Sequence, residues 1–214
     1  MLNRFARALF TRLLTPVARA LLALRISPDA VTLVGTLGVV VGALVFYPRG
    51  WFFWGTVVIT AFVFSDIVDG IMARLQGRPS VWGAFLDSTL DRVGDAAVFS
   101  GLVLFYAIHP DQRWATTMVA LALACLVLGQ IVSYARARAE GLGMTASVGV
   151  AERADRLVAV LVTTGLVGLG LPQVVLLAVL ALLAAASLVT VVQRVLVVRR
   201  QALAALDPQE GARA

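Results

Sequence analysis

The feature that most narrows the folds open to this chain is a succession of apolar runs. Several approach the ~20 residues that a helix needs to cross about 30 Å of hydrocarbon. No stretch shows the sustained period-2 alternation that a membrane barrel strand requires. Hydrophobic residues fill 60% of the 214 positions, and the mean hydropathy of +0.93 exceeds that of a soluble domain of ordinary composition. The chain reads as an all-α integral membrane protein.

Turn signals divide it into six expected transmembrane helices, over about 31–47, 51–74, 83–108, 114–135, 153–170 and 174–198. Pro28 and Asp29 suit the start of the first, because Pro is tolerated at a first helical position and a carboxylate favours the positive helix end. Residues 1–25 carry Arg4, Arg7, Arg12, Arg19 and Arg25 among Leu, Phe and Ala. These charges break any core long enough for a signal peptide, so the segment reads as an N-terminal amphipathic surface helix. The expected organisation is a juxtamembrane segment over 1–25, a six-helix domain over 26–200 and a mobile polar tail over 201–214.

All 18 basic residues are arginine and the net charge is +6. Their distribution points to membrane topology and away from a nucleic-acid partner. On the six-span count, only Arg49 and Arg113 fall on the face opposite the termini, so the positive-inside rule places both termini in the cytoplasm of a multi-pass protein of the cell membrane. The loop after Arg74, and the acids beside it, then face the cytosol. Cys125 lies alone in an apolar run and offers neither a disulfide nor a cysteine metal site. Gly38 and Gly42 suit close packing within the molecule, and His109 beside Pro110 reads as a loop residue.

Five of the 12 acidic residues fall between Asp66 and Asp95, where membrane helices make each ion expensive to bury. Asp66 and Asp69 are spaced i, i+3, and Asp87 and Asp91 i, i+4, so each pair shares one helix face. Asp95 continues the second row and suits an outer partner of the first four. Converging carboxylates take up protons unless cations neutralise them, and hard oxygen ligands favour Mg²⁺ or Mn²⁺. Two such ions could clamp a diphosphate during an in-line displacement. Gly70, Ala73 and Gly83 leave room for a nucleotide, and Arg74 supplies a cation directed at phosphate. Any one of these aspartates could instead be a structural partner of Arg74, Arg78 or Arg92; the array of four points to metal.

The pattern Asp66-x-x-Asp69-Gly70-x-x-Ala73-Arg74, eight residues, Gly83-x-x-x-Asp87-x-x-x-Asp91 resembles the CDP-alcohol phosphotransferase motif without a departure. The resemblance implies six transmembrane helices and a homodimer. It makes Asp66, Asp69, Asp87 and Asp91 ligands of two Mg²⁺ ions, with Mn²⁺ also suited, and Asp91 the acceptor of the nucleophile's proton. The alcohol would attack the β-phosphorus of CDP-diacylglycerol and expel CMP. Pro28 to Thr32 resembles the family's start of the first helix. Asp29, Ala30, Val31 and Thr32, with Gly70, Ala73, Arg74 and Ser80, are thereby implied as CDP-lipid contacts, although Asp29 and Thr32 as bare residues would also pass for helix capping.

For the acceptor alcohol, the resemblance is to the bacterial phosphatidylinositol phosphate synthase subfamily, which uses inositol 1-phosphate. It rests on Gln130 to Glu140, on Glu152-Arg153 and on Gln193-Arg194. Arg136 stands where that subfamily often has Lys, which keeps the charge and changes the reach. A phosphomonoester with nearly two negative charges needs bidentate donors, and Arg136, Arg153 and Arg194 could converge from three helix ends to bind it. Arginine at cytoplasmic helix ends is also what topology alone demands; Arg138 and Arg156, nearby alternatives for this site, are read as topological or structural. The rival readings are a phosphatidylglycerophosphate synthase, which takes glycerol 3-phosphate, an Asp-rich prenyl-diphosphate enzyme, and a cation-coupled transporter. The prenyl-diphosphate enzymes have DDxxD clusters in place of spaced pairs, and a transporter would be expected to carry acids in the other spans too.

Overall fold

The computed structural model describes residues 2–77, 80–150 and 152–206, and the side chains within them except those of residues 2–12, Asp66 and Leu206. All regular structure among the described residues is helical. Helix α1 (Leu2–Ala23) leads to α2 (Pro28–Val41), which continues through a π-helical turn (Gly42–Phe46) and a 3-10 turn (Tyr47–Arg49). Then follow α3 (Phe52–Val63), α4 (Ser65–Leu75), α5 (Val81–Ile108), α6 (Ala115–Glu140), α7 (Arg153–Gly168) and α8 (Gln173–Leu206).

Four segments are long and apolar enough to cross a membrane: Pro28–Arg49, Phe52–Leu75, Ala115–Glu140 and Gln173–Ala205. This is a multi-pass membrane protein. The other two expected spans fall on α5 and α7. Helix α5 has the length, 28 residues or about 42 Å, but Asp87, Asp91, Arg92 and Asp95 dilute its first half. Helix α7 has 16 residues, about 24 Å.

Local chemistry explains the breaks. Ser27 caps α2, its Oγ accepting from the Ala30 N–H at 3.2 Å, with Pro28 in the first turn. Gly50, at φ 75°, closes the next turn, where its N–H bonds the Tyr47 carbonyl at 2.8 Å. The single helix expected over 51–74 is two helices, broken at Phe64. There the Ser65 hydroxyl turns back to the Phe62 carbonyl at 2.6 Å, a bond that competes with the helical ladder. Ser65 also fills the space over Gly35 of α2, where a Cβ would stand 1.8 Å from its Oγ. Gly38 and Gly42 face Phe62 and Ile59, so the glycine spacing does serve packing within the molecule.

The main core joins α2, α3, α5, α6, α7 and α8 through residues such as Ile59, Leu102, Met118, Val160 and Leu180. At the end remote from the aspartates, Phe52 and Phe105 meet edge to face at 4.6 Å. Cys125 lies in this core with its Sγ 3.3 Å from the Leu180 carbonyl, and His109 closes α5 through the Phe105 carbonyl at 2.9 Å. A smaller cluster of Ala18, Val68, Ile71 and Met72 docks α1 on α4.

The expected tail begins inside a helix. Helix α8 continues to Leu206 because Gln201 is anchored: its side chain accepts from the Thr145 N–H at 3.0 Å and donates to the Thr145 carbonyl at 2.6 Å. The rest of that tail, 207–214, lies outside the described residues.

Candidate active site

The acids are set by two helices that hardly touch each other, and α2 packs against both. Helix α4 carries Asp66 and Asp69; helix α5 carries Asp87, Asp91 and Asp95 along two turns of one face. The side chain of Asp66 lies outside the described residues. Asp69 is buried, and α2 holds it through the Thr32 Oγ1, 2.5 Å from the carboxylate and 3.1 Å from the Pro28 carbonyl. Asp87 is exposed and Asp91 half-buried, and both stand near enough to Asp69 for their charges to interact.

Carboxylate oxygens are hard donors, of the kind that suits a divalent cation of the magnesium type. Among the described side chains no three acids stand together as a metal site; Asp66, whose side chain is not among them, lies one helical turn before Asp69.

Beside this set lies the start of α2. The Trp82 indole N–H donates to Asp29 at 3.1 Å, an interaction that sequence reasoning missed; an aromatic residue just before Gly83 was its only signal. Ser80 caps α5, accepting from the Gly83 N–H at 2.8 Å. A Cβ at Gly83 would lie 3.0 Å from the Ser80 Oγ and 4.0 Å from Asp29. The space at Gly70 is open, with only the Arg74 guanidinium, 4.0 Å away, near a Cβ built there. Ala73 is half-buried and Arg74 exposed. Ala30 gives its N–H to the cap, and Val31 packs into the α1–α4 cluster.

On the other side of α5, a cavity of about 540 Å³ is lined by five arginines, Arg92, Arg136, Arg153, Arg156 and Arg194, against two glutamates, Glu140 and Glu152. The three arginines expected to converge all reach it, by different means. Arg153 spans the cavity and the acid row: Nη1 lies 2.9 Å from Asp91 and Nε 3.1 Å from Asp95. Arg194, 6% exposed, is held in the wall by the carbonyls of Val148 (2.9 Å) and Val132 (2.5 Å). Arg136 is exposed and paired with Glu140 at 2.9 Å.

Arg156, read from sequence as a topological or structural charge, is 2% exposed and lies against Gly129, where a Cβ would be 3.5 Å from its guanidinium. Arg92 lines the same space, bonded to Ser133 and 3.5 Å from Asp91. The sequence offered Arg92 as a structural partner of the aspartates and Arg156 as a neighbour of the acceptor arginines, but it could not bring either to the cavity, because arginines near helix ends look alike until the helices are packed.

A helical membrane bundle with acids on facing helices, beside a cavity rich in arginine, defines a membrane enzyme that handles phosphorylated substrates. The chain belongs to the CDP-alcohol phosphatidyltransferase family, whose model matches residues 25–150. It is 56% identical over 207 residues to the phosphatidylinositol phosphate synthase of Streptomyces avermitilis, covering 94% of this chain and 84% of that one. The enzyme of the same name from Cutibacterium acnes is 48% identical over 207 residues, covering 94% of this chain and 98% of that one. Among solved structures, the phosphatidylinositol phosphate synthase of Mycobacterium tuberculosis with CDP-DAG bound superposes with a TM-score of 0.82 at 42% identity, over 87% of this chain and 94% of that one. The same enzyme in complex with manganese and citrate gives a TM-score of 0.82 at 42% identity, over 86% and 88% of the two chains.

Proposed function

We propose that this protein transfers the phosphatidyl group of CDP-diacylglycerol to inositol 1-phosphate, giving phosphatidylinositol phosphate and CMP. The observation that carries the reading is Arg153, which joins Asp91 at 2.9 Å to the five-arginine cavity. An acceptor whose phosphate lies among those guanidiniums would present its ring hydroxyls toward the acid row. A volume of about 540 Å³ falls within the range of small-molecule sites. The excess of arginine over glutamate suits an acceptor that carries a phosphate more than a neutral polyol.

Asp91 takes the proton of the attacking hydroxyl. The new bond forms between that oxygen and the β-phosphorus, and the bond from the β-phosphorus to the CMP oxygen breaks. Arg136, Arg153 and Arg194 bind the acceptor phosphate; Asp29, Ala30, Val31, Thr32, Gly70, Ala73, Arg74 and Ser80 hold the CDP-lipid. Asp66, Asp69, Asp87 and Asp91 would hold two Mg²⁺ ions, or Mn²⁺, whose chemistry when bound is to neutralise charge on the diphosphate. The manganese in the mycobacterial relative supports that choice of metal. Thr32, 2.5 Å from Asp69, orients that carboxylate.

In this reading α5 and α7 also span the membrane, giving six spans, with α1 on the surface. Both termini and the site face the cytoplasm, and the chain works in the cell membrane as a homodimer. The test is to supply purified protein with Mg²⁺, CDP-diacylglycerol and either inositol 1-phosphate, glycerol 3-phosphate or inositol, and to identify the lipid formed. CMP release and phosphatidylinositol phosphate are expected only with the first. A phosphatidylglycerophosphate product would reassign the acceptor, and no CMP with any alcohol would end the reading.

A further inference from the structure

Asp95 is the acid of the α5 row that the reaction above leaves unused. It is 8% exposed, and its Oδ1 lies 3.1 Å from the Arg153 Nε. Arg92 and Arg156 also lie within its electrostatic reach. Arg153 is the first residue of α7, where the positive end of the helix dipole disfavours a cation. The helix is stabilised there by other means: Glu152 and Asp155 form a reciprocal capping box. The position of the Arg153 guanidinium is thus set by what it faces on α5.

An arginine side chain has several soft torsions, and a bond to Nε on one edge orients the whole planar fork. With Nε on Asp95 and Nη1 on Asp91, the fork lies across the boundary between the acid row and the arginine-lined cavity, both of which Arg153 borders. We propose that Asp95 is a positioning residue for acceptor recognition, its carboxylate fixing the Arg153 guanidinium where the acceptor phosphate and Asp91 can both meet it. The proposal rests on the acceptor site assigned above. Asp95 touches neither substrate and acts through Arg153.

The experiment compares Asp95→Asn, Asp95→Glu, Arg153→Ala and the double variant Asp95→Asn/Arg153→Ala in purified full-length protein, varying inositol 1-phosphate and CDP-diacylglycerol separately. Losing one charge-assisted hydrogen bond to the guanidinium is expected to raise the acceptor KM about tenfold in Asp95→Asn, with the CDP-lipid KM within about twofold of wild type. Asp95→Glu, which keeps the charge, should recover part of that loss. The double variant should be no worse than Arg153→Ala alone, because the two residues act as one unit.

An acceptor KM in Asp95→Asn within about twofold of wild type, or single defects that multiply in the double variant, would overturn the proposal. If Asp95→Asn does not elute as folded protein, Asp95→Glu decides: a KM raised less than in Arg153→Ala supports positioning, and an unchanged KM refutes it. Should wild type prefer glycerol 3-phosphate, the acceptor assignment falls and the same comparison, made with that acceptor, still judges Asp95. A wild type inert with every acceptor sinks both.

Discussion

Replacing Gly101 by Ala tests whether the close approach of α5 to the π-helical turn after α2 sets the position of the acid row. The added Cβ would lie 2.6 Å from the Ala43 carbonyl oxygen and 3.2 Å from the Tyr47 Cβ. A carbon and a carbonyl oxygen settle at ~3.3–3.6 Å, so the two elements must separate by about 0.7 Å, and the obstacle is backbone that no rotamer change can clear. Gly94, two turns earlier on the same helix, is the control, because its Cβ would meet the Val39 Cγ1 at an ordinary 3.6 Å.

Both substitutions gain up to ~1 kcal/mol of helix propensity, but overpacking costs the Gly101 variant about 1–3 kcal/mol. Gly94→Ala should therefore melt at or above wild type. Gly101→Ala should melt several degrees below Gly94→Ala, at roughly 2–4 °C per kcal/mol for a chain of this length. Asp91 lies ten residues along α5, about 15 Å away, and moves with the helix. A displacement near 1 Å can cost ~100-fold in rate, so turnover of Gly101→Ala should fall by about tenfold or more well below its melting temperature. Thermal unfolding in detergent and CMP release provide the two readouts. Equal melting temperatures for the two variants would refute the packing argument, and a destabilised Gly101→Ala with full turnover would refute the link to the site.

Asp91→Asn removes the proposed proton acceptor and should lower turnover by about 10²–10⁴-fold, while equilibrium binding of CDP-diacylglycerol stays within a fewfold; retention of a tenth of the activity would remove Asp91 from that role. Arg153→Ala should raise the acceptor KM more than the lipid KM, and steady-state kinetics showing no change in the acceptor KM would mean that the acceptor site is misplaced. Dialysis against a strong chelator should abolish CMP release, with recovery on adding Mg²⁺ or Mn²⁺; full activity after metal removal, checked by elemental analysis, would contradict the metal reading of the aspartates.

Much of the helical framework was legible because it depends on neighbours a few residues apart. The Pro28 start of α2, the turn at Gly50 and the start of α7 at Arg153 all follow from local signals. The break at Phe64 did not, because the turn of Ser65 toward Phe62 coincides with a contact to Gly35 of α2. The reach of α8 to Leu206 was likewise hidden. Its Gln201 grips Thr145, 56 residues earlier in the chain.

For the site, the sequence by itself determined the chemistry on offer: acids at i, i+3 and i, i+4, small residues beside them, a family motif, and arginines at helix ends. Spacing of this kind is set by helix geometry and survives any packing. Tertiary structure alone decided which charges far apart in the chain meet. It placed α2 against both acid-bearing helices, with Thr32 on Asp69 across 37 residues, and Arg153 on Asp95 across 58. It also brought Arg156 and Arg92 to the cavity, which nothing local foretells. The physical reason is that a charge in a membrane bundle is stable only where a partner stands within a few ångströms, and partners distant in the chain are chosen by how the helices pack.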